Sequence, residues 1–322
     1  MIDITPDDNP DSEVSMPVFH PGERQIQARI GVEDAAEKVS RMFSDGLFPG
    51  VATFIERQAL LYVASIDPLG NVWASVAGGN PGFIHVQDDN TLHITLDSHK
   101  LNTDDPLWSN IVSNSRVGLL LIDLHSRKRL RINGHATFSS AANECVQINI
   151  ERVYPNCPRY IQRRQSSADW MTMTPSPPRS GTRLPDDLVE LLSSADTLFV
   201  ASAHPSAGAD MSHRGGHPGF IHILDERTLR IPDYPGNNLF NTLGNFIENP
   251  RAGLLIPDFP SGRLVQIIGT PTLEWDMHYP KQFTGGTARY WRLEILHWRI
   301  YQMPSRLDWK FIGYSPHLPS HD

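Results

Sequence analysis

A chain of 322 residues, 39% hydrophobic and 20% charged, has the composition of a folded globular protein and is long enough for two cores of ordinary size. A formal charge of -8 argues against a dedicated nucleic-acid binder, and no apolar run approaches the ~20 residues needed to cross a bilayer. Two cysteines, Cys145 and Cys157, are too few for a disulfide framework or a cysteine-based zinc cage, so a soluble, cytoplasmic protein is the expectation.

From the N-terminus, residues 1–17 are acidic and proline-rich, lack the basic and apolar blocks of a targeting peptide, and read as a tail. A helical period follows over 32–48 (VEDAAEKVSRMFSDGLF). Then come six short runs rich in Val, Ile, Leu and Thr, punctuated by Gly, Pro, Asp and Asn: LLYVASI, NVWASV, FIHV, TLHITL, RVGLLLIDL and RLRINGHATF. A short helix over 104–114 sits among them. Closely spaced strands of this kind suit a small closed or partly closed barrel, which removes exposed sheet edges. Residues 141–185 read as a helical connector ending in the Pro/Ser/Gly-rich linker MTMTPSPPRSGTRLP. An amphipathic helix over 184–195 opens a second set of strands, whose own internal helix over 238–250 is stopped by Pro250.

The second set repeats the first in its letters. GGNPGFIHVQDDNTLHI (78–94) returns as GGHPGFIHILDERTLRI (215–231), 137 residues later. LYVASIDPLG (61–70) pairs with LFVASAHPSA (198–207) at the same offset, and NSRVGLLLID (114–123) with NPRAGLLIPD (249–258) at an offset of 135. LRINGHATF (130–138) pairs with LVQIIGTPTL (264–273). Self-similarity of this length marks a duplicated module. The expected organisation is a tail and helix (1–45), a first barrel (46–140), the connector (141–185), and a second barrel with a C-terminal segment (186–322).

The order of signals in ADMSHRGGHPGFIHILDERTLRIPDYPGNNLFNTLGNFIENPRAGLLIPDF (209–259) resembles that of the pyridoxamine 5′-phosphate oxidase-like flavoproteins. The likeness extends over roughly 46–140 and 186–318; FHPGERQIQARIGV (19–32) and YPNCPRYIQRR (154–164) resemble segments of a tandem-barrel subgroup. The resemblance implies a mainly β (α+β) fold of two tandem FMN-binding split β-barrels, forming an internal pseudo-dimer with FMN in the groove between them. Such a pseudo-dimer can stand alone or pair again as a homodimer. The implied activity is that of an FMN-dependent oxidoreductase acting on a small molecule, with NAD(P)H as a candidate donor. The alternatives are a non-catalytic flavin- or haem-binding protein, or a scaffold whose flavin site has decayed.

The two copies differ where a phosphate would bind. Arg214 stands where the first copy has Ala77, while Ser212 matches Ser75. A phosphate dianion asks for a guanidinium, hydroxyl donors and the N–H groups of a helix start. The second copy offers Arg214, Ser212, and Asn237, Asn241 and Thr242 around its helix start. The helix of the first copy is preceded by Asp104 and Asp105, which repel phosphate, so one FMN site per chain is expected. The family archetype carries Ser-Arg-Lys where this chain has Phe240, Asn241 and Thr242, which leaves two cations missing unless Arg289 or Arg292 reaches in. Its pyridoxal-phosphate pattern is not clear in RYWRLEILHWRIYQ (289–302), so vitamin B6 oxidation is not implied. Cys157, near Arg159, Arg163 and Arg164, is the candidate nucleophile or redox thiol, against the plainer reading of a small residue in a Pro-bounded turn. His213, His217 and His222 match no zinc spacing, so no metal is expected, and Trp291 and Trp298, at i and i+7, read as one packed face.

Overall fold

A computed structural model describes residues 18–97, 102–139, 144–173, 177–277, 280 and 283–319; the tail read at 1–17 lies outside them. Three helices precede or open the first barrel: α1 (Pro21–Ile30), α2 (Glu33–Ser40) and α3 (Ala52–Glu56). The helical period over 32–48 is realised only as far as Ser40, and Gly46, Pro49 and Gly50 then keep the chain out of helix.

The first repeat is a seven-stranded antiparallel sheet. Its strands are β1 (Leu60–Ile66), β2 (Val72–Gly78), β3 (Ile84–Asp88), β4 (Thr91–Thr95), β5 (Arg116–Asp123), β6 (Lys128–Phe138) and β7 (Cys145–Pro155), with α4 (Pro106–Ser113) inserted before β5. They run in the order β2-β1-β5-β6-β7-β4-β3.

The connector departs from expectation. Its described residues hold β7, β8 (Arg163–Thr172) and β9 (Arg179–Gly181) rather than helices. In β7 the run CVQINIERVYP places Val146, Ile148, Ile150 and Val153 in the core of the first barrel, so the strand completes that barrel. The period of two was present in the letters but was overlooked, and the first barrel therefore extends beyond residue 140.

After α5 (Asp186–Ser194), the second repeat contributes β10 (Thr197–His204), β11 (Gly208–Gly215), β12 (His222–Asp225), β13 (Thr228–Pro232), α6 (Asn241–Glu248), β14 (Ala252–Asp258), β15 (Arg263–Glu274) and β16 (Tyr290–Gln302). Their order, β11-β10-β14-β15-β16-β13-β12, is that of the first sheet strand for strand, with β9 added beside β16. Trp291 and Trp298 do pack in one core, but on a strand, where a spacing of seven would point them to opposite faces. The register of β15 against β16 shifts between Ile268 and Gly269, skipping Leu296, and this bulge restores the common face. The chain closes with β17 (Ser305–Gly313), paired with β8 in a separate ribbon.

Each barrel has its own apolar core, and a third apolar layer lies between them. At the centre of that layer Tyr62 stacks on its repeat equivalent Phe199, with ring centroids 3.6 Å apart. Two equivalent glycines let the barrels meet backbone to backbone. A Cβ on Gly118 would come within 2.6 Å of the Ala209 carbonyl oxygen and the Asp210 Cα, and one on Gly253 within 2.8 Å of the Ala74 nitrogen. The chain is thus two antiparallel barrels joined face to face about a pseudo-two-fold axis. Among the described residues, no helix is long and apolar enough to cross a membrane.

Candidate functional site

In β6, Leu130 and Ile132 point into the first barrel, which turns Arg129 and Arg131 outward towards the second. In β11, Ser212 and Arg214 share a face with Val200 and Leu198, their partners across the ladder. The helix α6 begins beside β11. Together these elements form a cleft of about 730 Å³, lined by Arg129, Arg131 and Arg159 and by the predicted residues Cys157, Arg214, Asn237, Asn241 and Thr242.

Arg131 is the hub. Its guanidinium donates to the Asp210 carboxylate at 3.1 Å, to the Tyr154 hydroxyl at 3.2 Å, to the Asn241 side-chain oxygen at 3.3 Å and to the Ser212 hydroxyl. Burial opposes its charge, but Asp210 and Tyr154 outweigh that and raise its pKa. Arg129 and Arg214 lack such compensation. Burial, then the like charges of Arg131 and Arg214, pull Arg129 down to about 9, which still leaves it protonated at neutral pH. Burial likewise lowers Arg214, against the attraction of Asp233. Asp233 is itself engaged by Arg289 at 2.9 Å. The Nε atoms of Arg129, Arg131 and Arg214 are buried without hydrogen-bond partners, as are both ring nitrogens of His213. Converging guanidinium groups with unfilled donors concentrate positive charge and hydrogen-bonding capacity in the cleft.

The start of α6 adds to it. Its N-cap is Phe240, held at φ 61°, and no side chain caps the first N–H groups of the helix. The matching N-cap in the first barrel is Asp105, and there the arrangement is closed. Asp105 is buried and accepts from the Ser75 hydroxyl (2.6 Å), the Leu107 N–H (2.9 Å), the Gln266 amide (3.0 Å) and the Tyr301 hydroxyl (3.1 Å). A carboxylate of the chain itself thus fills the place of an anion at that helix start. Outside this contrast the repeats agree closely: Asn110 donates to Ser65 and Asn245 to Ser202, each at 2.9 Å.

The predicted residues divide by position. Arg214, Asn241, Thr242, Asn237 and Cys157 reach the cleft. Ser212 is fully buried; it shares a hydrogen bond of 2.9 Å with Thr242 and receives one from Arg131, so it orients the wall rather than forming the surface. Asn237 is spent on shaping, donating to Asn156 and accepting from the Leu239 N–H. Neither C-terminal arginine supplies the missing cations: Arg289 is paired with Asp233, and Arg292 is exposed on β16. The cations that line the cleft beside Arg214 are Arg129, Arg131 and Arg159; from the sequence Arg159 stands out only as a neighbour of Cys157, and Arg129 and Arg131 were overlooked. The sign was there in KRLRI (128–132), where arginines alternate and the second repeat has Leu264 and Gln266. The histidines are dispersed, His85 against Glu56 and His222 against Tyr290, and no group of three or more His, Cys, Asp or Glu among the described residues could hold a metal ion.

Helix α1 straps this region. Glu23, almost fully buried, accepts from the His20 N–H and from the Asn241 amide. Burial, reinforced by Asp210, raises its pKa to about 7, and burial with His204 lowers that of His20 to about 4. His20 is therefore neutral at pH 7, and its 3.5 Å approach to Glu23 is not an ion pair there. Between about pH 5 and 7 the folded chain keeps a proton on Glu23 that the unfolded chain has lost, so this group lowers stability as pH rises. His20 acts with the opposite sign below pH 6.5, so only a difference measurement isolates Glu23. Glu23→Gln is expected to gain on the order of 1–2 kcal/mol relative to the parent between pH 5 and pH 8 in urea melts. A difference independent of pH would show that Glu23 is already ionised.

The fold and site define a tandem split-barrel protein with an arginine-lined cleft between its barrels. Residues 47–176 match the family model described as pyridoxamine 5′-phosphate oxidase. The match covers the first repeat and the connector as far as residue 176, whereas the sequence likeness is fullest at 209–259. No curated protein matches the chain. Among solved structures, a candidate pyridoxamine 5′-phosphate oxidase from Lactobacillus delbrueckii is 17% identical, with 37% of this chain and 94% of that one covered at a TM-score of 0.31. HupZ of Group A Streptococcus is 19% identical, with 34% and 93% covered (TM-score 0.28). HutZ, the haem storage protein from Vibrio cholerae, is 11% identical, with 42% and 99% covered (TM-score 0.27).

Proposed function

We propose that the chain binds one FMN between its barrels, with the phosphate in the arginine cleft, and works as an FMN-dependent oxidoreductase on a small molecule. NAD(P)H is a candidate donor. The observation that carries this reading is the cluster of Arg129, Arg131 and Arg214 with buried, unpartnered Nε atoms beside the uncapped start of α6. A phosphate dianion offers three strong acceptors and the negative charge that this cluster lacks. FMN would supply the centre that accepts hydride or electrons. The residues of the chain hold its phosphate, wall the cleft with Tyr160 and Tyr234 (rings 5.0 Å apart), and present the Cys157 thiol to the cleft. The apolar layer between the barrels keeps bulk water away.

An absorption spectrum of the purified protein, followed by chromatography of the heat-released chromophore, tests this directly; about one FMN per chain is expected. Arg214→Ala should weaken FMN binding by roughly tenfold or more, the worth of a charge-assisted hydrogen bond. Ser75→Ala, in the closed counterpart, should leave affinity unchanged. Equal losses, or two FMN per chain, would sink the one-site assignment.

A second reading has one observation behind it. His213 lines the cleft with both ring nitrogens unpartnered, and burial, with Arg129 and Arg214, holds it neutral. Neutral imidazole is the form that ligates haem iron. A Soret band in place of flavin bands would decide for haem, and a colourless protein that takes up neither would favour a scaffold.

A further inference from the structure

The pseudo-symmetry gives the arginine cleft a counterpart, and that counterpart is also a cavity. Strand registers carry His213 to Val76, Arg214 to Ala77, Gly215 to Gly78 and Arg129 to Leu264. The segment after β7 corresponds to the segment after β16. Val76, Leu264 and Met303 line a separate cleft, together with Phe259, Trp170 and Trp309. Of the groups that make the first cleft cationic, His213, Arg214 and Arg129 are replaced here by the aliphatic Val76, Ala77 and Leu264, and Arg131 by the neutral Gln266. The ribbon of β8 and β17 supplies aromatic walls instead, and Gly78 makes room for one of them, since a Cβ there would lie 2.5 Å from the Trp170 ring.

Two donors in this apolar cleft are unfilled. The Trp170 Nε1 and the Arg306 Nε are buried without hydrogen-bond partners. Arg263, at the rim, is already held by Asp258 at 2.9 Å, whereas Arg306 meets Asp308 at the longer distance of 3.5 Å. Apolar and indole walls favour a flat aromatic body, and the unpartnered Arg306 Nε and Trp170 indole N–H favour one anionic oxygen group on it.

We propose that this cleft is a second ligand site, for one small aromatic carboxylate or sulfonate per chain. Duplication kept a cavity at both places, while substitution and the added ribbon changed what each selects. The site is independent of the cofactor reading, because it shares no lining residue with the arginine cleft.

Calorimetric titration with anilinonaphthalene sulfonate, in the presence and absence of excess FMN, tests it on the full chain. The expected result is saturable binding of one probe per chain, unaffected by FMN. Arg306→Gln, which removes the charge, and Met303→Trp, which fills the space, should each weaken it roughly tenfold. Arg306→Gln should keep the parent melting temperature. Absence of saturable binding to the folded protein, competition by FMN, or indifference to both substitutions would overturn the proposal. Failure of FMN itself to bind would count against the cofactor reading and leave this titration readable.

Discussion

Replacing Arg129 by leucine is expected to stabilise the FMN-free protein and to weaken FMN binding in the same variant. Arg129 stands in a partly buried cluster with Arg131 and Arg214, its Nε lacks a partner, and its depressed pKa reflects the cost of holding its charge there. Leucine already occupies the matching position in the second repeat, as Leu264, so the backbone of β6 accepts it. Relief of the like charges should add on the order of 1 kcal/mol to stability, offset in part by the lost packing of the arginine stem. The same substitution removes a guanidinium from the phosphate, which should lower FMN affinity between roughly tenfold and a hundredfold. Urea melts of the FMN-free protein and an FMN titration give both numbers. A destabilised variant with unchanged affinity would remove Arg129 from the anion site. Opposed signs are what a binding site built at the expense of stability should show.

Gly118→Val should have the largest effect on folding. The added Cβ meets the backbone of β11, the Ala209 carbonyl oxygen and the Asp210 Cα both at 2.6 Å, and backbone cannot move aside as a flexible side chain can. The substitution is expected to cost about 3 kcal/mol or more, at the upper end for overpacking. FMN binding should fall with it, because β11 carries Asp210 and Arg214, and a displaced β11 separates Asp210 from Arg131. Gly313→Ala serves as the control: nothing lies within 4 Å of a Cβ there, and a change within about 0.5 kcal/mol is expected. Chemical denaturation of the two variants makes the comparison. Similar losses in both would mean that the barrels do not depend on the close approach at Gly118.

Much of this architecture could be read from the letters. The repeated GGxPGFIH segments, the alternating strands and the two offsets implied two equivalent barrels, and the sheets have identical strand order. Comparing the repeats with each other also singled out Arg214 against Ala77 and the acidic start of the first inserted helix. These features are local: a period of two, a turn residue and a helix cap act over a few residues, so the sequence carries them openly.

The overlooked features are those that depend on which surface meets which. Arg129 and Arg131 are marked by alternation as facing out of the first barrel, but nothing in KRLRI says that the surface opposite is β11 and the start of α6. That meeting is decided by the apolar layer around Tyr62 and Phe199 and by the backbone contacts at Gly118 and Gly253. The burial of Glu23 against Asn241, 218 residues away in sequence, is settled in the same manner. By itself the sequence determined two barrels and which of them keeps an open helix start. Only the tertiary structure decided that the first barrel supplies the charge for the second, because electrostatic complementarity forms between surfaces that packing brings together, at distances along the chain that no local pattern spans.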